Sequence, residues 1–537
     1  MPENSTPTPQ SFPNETRRTT EQIRIKTACV NQRALFRFRY WTHKTTIRQL
    51  VQEQLAALIA EEFGFPFTPM QSKAAMALAR FVLTPLPDCA FILRGYAGTG
   101  KTSLIGAFVR VMKRLERDVV LMAPTGRAAK VLAKHAGTEA HTIHKVIYRQ
   151  QTFNGEGTKF SIGFNKLKNA IFIVDEASMI AIDDGGASIF GTGQLLDDLI
   201  RFVYEGTGCR LLLLGDTAQL PPIGAEESPA LMKSVIEQYG LRVGQADLTE
   251  VVRQGEQSGV LSNATMLRQS ISEEKEELPT IRVSGSGEVR LMPGDELIDA
   301  LATDYQDYGS QDTIVITRSN KRANIFNNGI RAQILDREDQ LNRGDLIMAV
   351  KNNYFWTERA AKELPKGEHL PMDFIANGDT AEIVRIRNVH EQFGFRFADA
   401  TLCFPDYGDF EIDCRVLLDT LNSESPSLTH EESQHLYEEV LKDYADIPQK
   451  KERMKKLRED PYYNALQIKY AYAITCHKAQ GGQWARVYID QGFIPPDTSR
   501  TSYIRWLYTA FTRTTDRVYL VNWPKEQTIR TDNEETQ

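Results

Sequence analysis

The sequence predicts an α/β protein with two mostly parallel β-sheets and a small β-barrel inserted into the second sheet. Nearly continuous apolar runs alternate with helical patterns, as expected of parallel strands that are buried on both faces. The first set of these runs is 89–95, 118–124, 170–177 and 210–216, and the second set is 313–319, 486–491 and 517–523. Between about 341 and 465 the pattern changes to short alternating strands with turn residues at 377–379, which favours a barrel.

These elements divide the chain into five segments. An N-terminal extension precedes a first α/β core that carries a β-hairpin insertion, and a second core is split by the barrel and a charged helical stretch at 429–460. Residues 1–20 read as disordered, and 47–65 repeat apolar positions at helical spacing across the end of the extension. The predicted boundaries are 1–60 for the extension, 61–230 for the first core, 146–168 for its hairpin insertion, 231–340 and 466–537 for the second core, and 341–465 for the insert.

Composition excludes several classes of protein. The 537 residues have a net charge of −6, and no stretch reaches the roughly 18–20 apolar residues of a membrane helix, so we expect no membrane span. The six cysteines are scattered without a C-x-x-C pair, which argues against a zinc site and favours reduced thiols in the cytoplasm, at the nucleoid if the source is bacterial. Nothing in the composition requires an oligomer, and a monomer is compatible with it.

A complete phosphate-binding loop follows the first strand. Residues 95–102 read G-Y-A-G-T-G-K-T and precede a helical pattern, so backbone N–H groups and the start of a helix can hold an anion. Lys101 would reach the β- and γ-phosphates of ATP, and the Thr102 hydroxyl would ligate Mg²⁺. The predicted nucleotide contacts in this loop are Gly98, Thr99, Gly100, Lys101, Thr102 and Ser103.

Two later strands end in residues suited to nucleotide hydrolysis. Asp175 and Glu176 close the third apolar run, where one carboxylate can join the Mg²⁺ shell and the next can activate water. Gln219 follows the fourth run and can hydrogen-bond the γ-phosphate or the attacking water, although the Pro-Pro after it is also compatible with a plain turn.

The order of the motifs resembles the superfamily 1 helicases, specifically the RecD/Dda/Pif-like group that moves 5′ to 3′. The matching segments in the first half are FTPMQ (67–71), GYAGTGKTS (95–103), APTGRAAK (123–130), HTIHK (141–145), VDEASM (174–179), LLGDTAQLPPI (213–223) and LTEVVRQ (248–254). Those near the C-terminus are AYAITCHKAQG (471–481) and LYTAFTRT (507–514). The resemblance covers about residues 65–525.

The resemblance implies an architecture and further ATP-site residues. It implies two RecA-like cores with an SH3-like barrel in the second. It also implies that Gln71 reads the adenine and that Arg253 and Arg513 reach the γ-phosphate from the second core. Such arginines neutralise transition-state charge only when the cleft between the cores closes. Thr514 and Thr515 stand where relatives often carry Arg-Ala, so contacts next to the Arg513 finger depart from the pattern.

The predicted strand-binding residues are separate from the ATP site. Pro124, Thr125 and Arg127 lie at a strand-to-helix turn, where N–H groups can hold a phosphate of the DNA backbone. The resemblance adds His144, Lys145, His477, Lys478 and Gln480 as single-strand contacts. Residues 148–164 read as a hairpin around Asn-Gly-Glu-Gly, which in this group resembles the pin that splits the duplex, and a plain surface hairpin is the alternative.

The function that these residues predict is an ATP-dependent DNA helicase. It would use ATP and Mg²⁺ and bind single-stranded DNA and single-strand/duplex junctions. Two alternatives stay open on the sequence alone: a translocase that remodels nucleic acid–protein complexes without unwinding, and a nucleotide-gated scaffold without turnover. A DNA or RNA preference and a cellular pathway do not follow from the sequence.

Overall fold

The structure is a computed structural model that describes residues 48–151, 159–182, 191–251, 258–273, 277–285, 287–365, 368, 370–372, 374–496 and 498–530. The elements of the first half are α1 (48–63), α2 (Pro69–Leu83), β1 (Cys89–Gly95), α3 (Lys101–Arg114), β2 (Val119–Ala123), α4 (Gly126–Ala136), β3 (Ala140–Thr142), α5 (Ile143–Ile147), β4 (Tyr148–Gln151), β5 (Lys159–Ile162), β6 (Ile171–Val174), α6 (Leu195–Glu205), β7 (Arg210–Gly215), α7 (Lys233–Glu237) and β8 (Arg242–Leu248).

The second half continues with α8 (Gly259–Ser272), β9 (Ile281–Val283), β10 (Val289–Met292), α9 (Leu297–Tyr308), β11 (Thr313–Thr317), α10 (Asn320–Gln333), β12 (Leu346–Ala349), α11 (Phe355–Glu363), β13 (Thr380–Gln392), β14 (Phe395–Phe404), β15 (Phe410–Leu417), α12 (His430–Lys442), α13 (Lys450–Arg458), β16 (Leu466–Tyr470), β17 (Ala473–Thr475), α14 (Cys476–Ala479), β18 (Trp484–Asp490), α15 (Arg500–Phe511), β19 (Thr514–Val521) and β20 (Thr528–Arg530). Among the described residues, no helix combines the length and apolar character that crossing a bilayer needs.

Two parallel sheets form the predicted cores. The first has the order β3-β2-β6-β7-β1-β8 and the second the order β10-β19-β18-β11-β17. The central strands are buried along their length, β6 at every position, because helices cover both faces. The fold class predicted from the sequence is therefore confirmed, with the P-loop strand β1 inside the first sheet. Since all strands of a sheet run the same way, the residues that follow β1, β6 and β7 meet at one edge.

The first sheet extends beyond the predicted boundary at residue 230. Strand β8 pairs in parallel with all seven residues of β1, from Cys89 opposite Arg242 to Gly95 opposite Leu248. Of its residues RVGQADL only Val243 and Leu248 are buried, because β8 is an edge strand. An edge strand lacks the continuous apolar run by which the other strands were predicted.

A closed barrel interrupts the second sheet, as predicted. Strands β12, β13, β14, β15 and β16 form it, and β16 closes it by pairing with both β12 and β15. The closing strand lies at Leu466–Tyr470, past the predicted boundary at 465. The run from 466 to 475 contains two strands, of which the first (β16) belongs to the barrel and the second (β17) to the second sheet. The charged stretch folds as α12 and α13, which are packed on the barrel through Phe395, Phe397, Leu436 and Leu457.

The structure contains the base of the predicted hairpin. Strands β4 and β5 pair antiparallel, with Tyr148 opposite Ile162 and Gln151 opposite Lys159. The turn residues 152–158, including the predicted Asn-Gly-Glu-Gly, lie outside the described residues.

Candidate active site at the junction of the two sheets

The phosphate loop between β1 and α3 has the shape of an anion cradle. Gly98 and Gly100 have φ angles of +76° and +77°, which side-chain-bearing residues rarely adopt. A Cβ on Gly98 would lie 2.9 Å from Leu261 Cδ2 of the second half of the chain. Helix α3 begins at Lys101 without any side-chain cap, so its first N–H groups, including those near Thr102 and Ser103, are available to a ligand.

The Lys101 side chain is folded onto this loop. Its Nζ donates to the carbonyl oxygen of Gly95 at 2.9 Å, and the Thr99 hydroxyl donates to the carbonyl of Tyr96 at 2.8 Å. These bonds hold the loop in its curved form and place the ammonium group at its mouth. The loop residues predicted to bind nucleotide therefore lie together.

The carboxylates that follow β6 and β7 converge on the same lysine. Burial, and after it the Glu176 charge, raise the pKa of Asp175 to about 6, against the opposing effect of the Lys101 charge. Burial likewise raises the pKa of Asp216, again opposed by Lys101. Burial and mutual repulsion make the negative charge of these carboxylates unfavourable, and a bound cation would relieve both. The hard oxygen donors of Thr102 and Asp175 match the preference of Mg²⁺.

Glu176 is held in an unusual backbone conformation. Its φ of +51° is in the left-handed region, which costs a residue with a Cβ about 1–2 kcal/mol, and its N–H donates to Asp175 Oδ1 at 2.8 Å. Strain of this kind persists where the surrounding structure over-determines it, often at functional sites. It turns the Glu176 carboxylate toward the second core.

Gln219, after β7, has a buried side chain with a free acceptor. Its Oε1 has no hydrogen-bond partner among the residues that the structure describes. A buried amide oxygen without a partner costs free energy unless a donor reaches it, and water is such a donor. The geometry is compatible with the predicted contact to the attacking water.

Arg513 approaches from the second core. Its Nη1 lies 3.9 Å from Glu176 Oε1, and its guanidinium donates to the carbonyls of Thr509 and Gly482 at 3.1 and 3.4 Å. The structure thus brings the predicted finger, Glu176 and the phosphate loop to one place. Arg253, the other predicted finger, lies outside the described residues.

Tyr508 joins the two cores at this site, a role that the sequence did not reveal. The N–H of Ala97 in the phosphate loop donates to the Tyr508 hydroxyl at 2.9 Å, and that hydroxyl donates to Asp216 at 2.6 Å. The side chains of Tyr508 and Asp216 are fully buried. Next to it, the Leu220 N–H donates to Thr509 Oγ1 at 2.9 Å. One hydroxyl of α15 therefore links the loop to the carboxylate after β7.

Gln71, the predicted adenine reader, borders a large cavity. Its amide donates to the Thr99 carbonyl at 3.0 Å and accepts from the Thr68 N–H at 3.0 Å, so it ties the start of α2 to the phosphate loop. The cavity beside it has a volume of about 1140 Å³ and is lined by aromatic and aliphatic groups that include Phe63, Phe67 and Met266. A nucleoside fits a pocket of this size and character.

The predicted strand-binding residues of the first core lie around the start of α4. Thr125 is the N-cap of α4 and accepts from Ala128, which leaves the remaining first-turn N–H groups for a ligand. The Arg127 side chain instead lies 4.0 Å over the ring of Trp484 and donates to Gln483 O at 3.0 Å. Arg127 thus makes a contact between the cores, and its contact with the strand stays a prediction. Pro124 precedes this turn.

Residues 477–481 of the second core lie against the same turn. A Cβ on Gly481 would be 3.3 Å from Thr125 Oγ1. Within this segment His477 is exposed, Gln480 donates to Leu220 O at 2.7 Å, and burial lowers the pKa of Lys478 to about 8. Lys478 Nζ has no hydrogen-bond partner among the described residues, so an anion here would gain a strong contact.

His144 and Lys145 lie on α5, next to the hairpin. The His144 ring is near Tyr148 and Phe374, with centroid distances of 5.6 and 6.4 Å, and burial lowers its pKa to about 4. The imidazole is therefore neutral at pH 7 and can contact a base or sugar but not attract a phosphate by charge. Among the described residues, no cluster of three His, Cys, Asp or Glu side chains forms a further metal site.

The barrel also reaches the start of α4. A Cβ on Gly126 would lie 2.5 Å from the Tyr407 hydroxyl and 2.9 Å from Asp379 Oδ1, so any larger residue there would displace these side chains. Lys130 pairs with Asp406 at 3.0 Å. The first core, the second core and the barrel therefore meet at the turn that was predicted to hold the strand.

Two family models match the chain, one over the first core and the other near the end of the second core. The model described as an AAA domain matches residues 71–278, and that described as a UvrD-like helicase C-terminal domain matches 470–521. The first match extends past β8, in agreement with the extent of the first sheet.

Similar proteins include two helicases. The ATP-dependent RecD2 DNA helicase of Deinococcus radiodurans is 31% identical over 187 residues, which are 33% of this chain and 23% of that protein. The ATP-dependent DNA helicase dda of phage T4 is 25% identical over 330 residues, 59% of this chain and 70% of that protein. A crystal structure of Bacteroides Pif1 bound to ssDNA has a TM-score of 0.41 at 16% identity and covers 87% of this chain and 94% of its own.

An uncharacterized protein of Methanocaldococcus jannaschii is also similar, at 22% identity over 485 residues, 82% of this chain. The chain spans 37% and 23% of the length of the first two curated relatives that it matches. The two family models and the two helicases confirm the resemblance predicted from the motifs.

Proposed function

Because the chain resembles the RecD/Dda/Pif-like superfamily 1 helicases along both cores, we propose that it is an ATP-dependent DNA helicase. It translocates 5′ to 3′ on single-stranded DNA and couples ATP hydrolysis between the cores to duplex unwinding. The observation that best supports this proposal is the meeting of Lys101, Glu176 and Arg513 at the junction of the two sheets, with Arg513 3.9 Å from Glu176. A catalytic base and a finger from opposite cores suit hydrolysis that depends on closure.

Each side chain has a distinct part in this reaction. The loop N–H groups and Lys101 hold the phosphates, and Thr102 and Asp175 would hold Mg²⁺, which neutralises phosphate charge when bound. Glu176 orients and deprotonates the attacking water, and the free oxygen of Gln219 holds it from the other side. Arg513 supplies positive charge to the transition state once the cores close.

Strand binding takes place where the three parts meet. The start of α4 offers N–H groups to a phosphate, and Lys478 offers an unpaired ammonium group in the adjoining segment. Since Arg127 and Gln480 hold the cores together at the same place, movement of one core against the other changes the strand contacts. This arrangement links the ATP site to movement along single-stranded DNA. Binding through phosphates is insensitive to sequence and weakens with salt.

The proposal is tested by ATP hydrolysis with and without single-stranded DNA at low and moderate salt. We expect stimulation of at least about tenfold, because strand binding favours the closed form in which the arginines reach the phosphate. Unwinding of duplexes with a 5′ or a 3′ tail then tests direction, and only the 5′-tailed duplex should be unwound. Hydrolysis that neither DNA nor RNA stimulates would refute the helicase proposal, and unwinding of the 3′-tailed duplex alone would refute the direction.

The Tyr508 bridge gives a second prediction. In Tyr508→Phe, the Ala97 N–H and the Asp216 carboxylate lose their shared partner while buried. A hydrogen bond to a charged group contributes about 1.5–3 kcal/mol. We therefore expect the DNA-stimulated kcat to fall roughly 10- to 100-fold, with a smaller change in KM for ATP, as measured by steady-state hydrolysis.

Tyr503→Phe is the matched control. Tyr503 is also fully buried on α15, but its hydroxyl donates to Gln491 at 2.7 Å, within the second core. It should lose comparable thermal stability and little stimulated activity. Equal losses of kcat in the two variants would show that the Tyr508 hydroxyl has no specific role in coupling.

A further inference from the structure

Helix α13 carries a concentration of positive charge that the ATP and strand sites do not use. Its nine residues, KKERMKKLR, contain six cations and one acid, in a chain whose net charge is −6. The preceding helix α12 has the opposite character, with two acidic residues in its first turn and two more near its end. The helical pair on the barrel is therefore polarised, and α13 is its positive side.

The positive side is rigidly attached and faces solvent. Leu457 is buried and Met454 partly buried against the barrel, and Arg453 donates to the Ile447 carbonyl at 3.0 Å. Lysines at 450, 451, 455 and 456 are exposed. They extend over about 9 Å of helix axis, and Lys451 and Lys455 share a face because they are four residues apart.

Little of this charge is neutralised within the protein. Among the described residues, the one ion pair that α13 makes joins Lys455 to Glu459 at 4.0 Å. Both side chains are more than half exposed, and exposed pairs of this kind contribute little. The lysines therefore remain available to an external polyanion.

A continuous series of contacts connects α13 to the base of the hairpin. Asn464 donates to the Arg458 carbonyl at the end of α13 and accepts from Trp356 Nε1 at 2.9 Å. Trp356 lies two residues after Tyr354, and the ring centroids of Tyr354 and Phe374 are 4.6 Å apart. Phe374 in turn contacts His144, next to the first hairpin strand. The position of α13 is thus fixed relative to the hairpin.

We propose that α13 binds the phosphate backbone of duplex DNA, and that the contacts through Asn464 and Phe374 set its position relative to the hairpin of β4 and β5, the predicted strand-separating pin. The inference rests on the proposed helicase function for the presence of a duplex at this place. The single-strand residues lie at the junction of α4 with 477–481, whereas α13 lies on the barrel beyond Tyr354 and Phe374. A rigid row of lysines suits the regular phosphates of a duplex, and the acidic α12 disfavours binding on the other side.

The test uses the full chain with all four exposed lysines replaced (K450Q/K451Q/K455Q/K456Q). Fluorescence anisotropy measures its Kd for a 5′-tailed duplex and for the tail alone between 50 and 200 mM salt. We expect tailed-duplex binding to weaken roughly 10- to 100-fold at low salt. The slope of log Kd against log salt should fall by up to about 3.6, since each of the four lysines that contacts a phosphate contributes about 0.9. Binding of the tail alone and DNA-stimulated hydrolysis should not change.

A matched control removes the same charge elsewhere. K113Q/K233Q/K321Q/K525Q replaces four exposed lysines scattered over the two cores, and melting temperatures check both proteins for folding. Equal weakening in the two variants, or none in either, would overturn the proposal. Weakening for the tail as much as for the tailed duplex would also overturn it, since α13 would then contact the single strand. Because binding is measured without ATP, this result does not depend on whether ATP hydrolysis is stimulated.

Discussion

Glu176→Gln is expected to bind ATP normally and to lose turnover by about 10²–10⁴-fold, the usual contribution of a general base. The amide has the size of the carboxylate but cannot accept a proton from water. The phosphate loop, Lys101 and Asp175 are untouched, so the ground-state contacts to ATP remain. The measurement pairs equilibrium binding of a fluorescent ATP analogue with single-turnover hydrolysis in the presence of single-stranded DNA.

The control for this variant is Glu205→Gln. Glu205 is exposed at the end of α6 in the same core, so its replacement makes the same charge change away from the site. It should bind and hydrolyse ATP like the parent protein. If Glu176→Gln retained turnover within a few-fold of Glu205→Gln, Glu176 would not be the base, and the strain at its φ of +51° would need another explanation.

Sequence patterns predicted the fold where a strand is buried on both faces. The run Cys89–Gly95 was predicted with its observed bounds because six of its seven residues are buried and apolar side chains dominate it. Strands β8, β10 and β17 were not predicted. Each is at an edge of its sheet or is only three residues long. The extended conformation of such a strand depends on packing on one side and on pairing with its neighbour more than on its own composition.

The candidate site likewise has a part that the sequence predicts and a part that only the structure reveals. The phosphate loop is local in sequence, so its glycines and Lys101 can be recognised without a structure. The contacts of Tyr508 with Ala97 and of Arg127 with Trp484 join residues more than 350 positions apart. No pattern in one sequence indicates them. Arg127 shows the consequence, because its motif predicts a strand contact and the fold adds a contact between the cores.

Arg513→Ala is expected to reduce DNA-stimulated kcat by about 10³-fold or more, in the range found for arginine fingers. Arg513→Lys should restore little, because a single ammonium group cannot contact the Thr509 and Gly482 carbonyls and the phosphate together. Arg500→Ala, at the exposed start of α15, the helix that ends just before Arg513, is the control and should keep its activity. Similar melting temperatures of the variants would separate a catalytic loss from a folding defect.

Combining the variants tests whether Arg513 and Glu176 act on one step. In the proposed mechanism both groups stabilise the same transition state, the arginine by its charge and the glutamate by orienting water. They lie 3.9 Å apart across the cores. The double variant Glu176→Gln/Arg513→Ala should therefore be hardly slower than the slower single variant, since residues that act as a unit are strongly non-additive. Fully multiplicative losses would mean that the two cores contribute independently, and hydrolysis would then not report closure of the cleft.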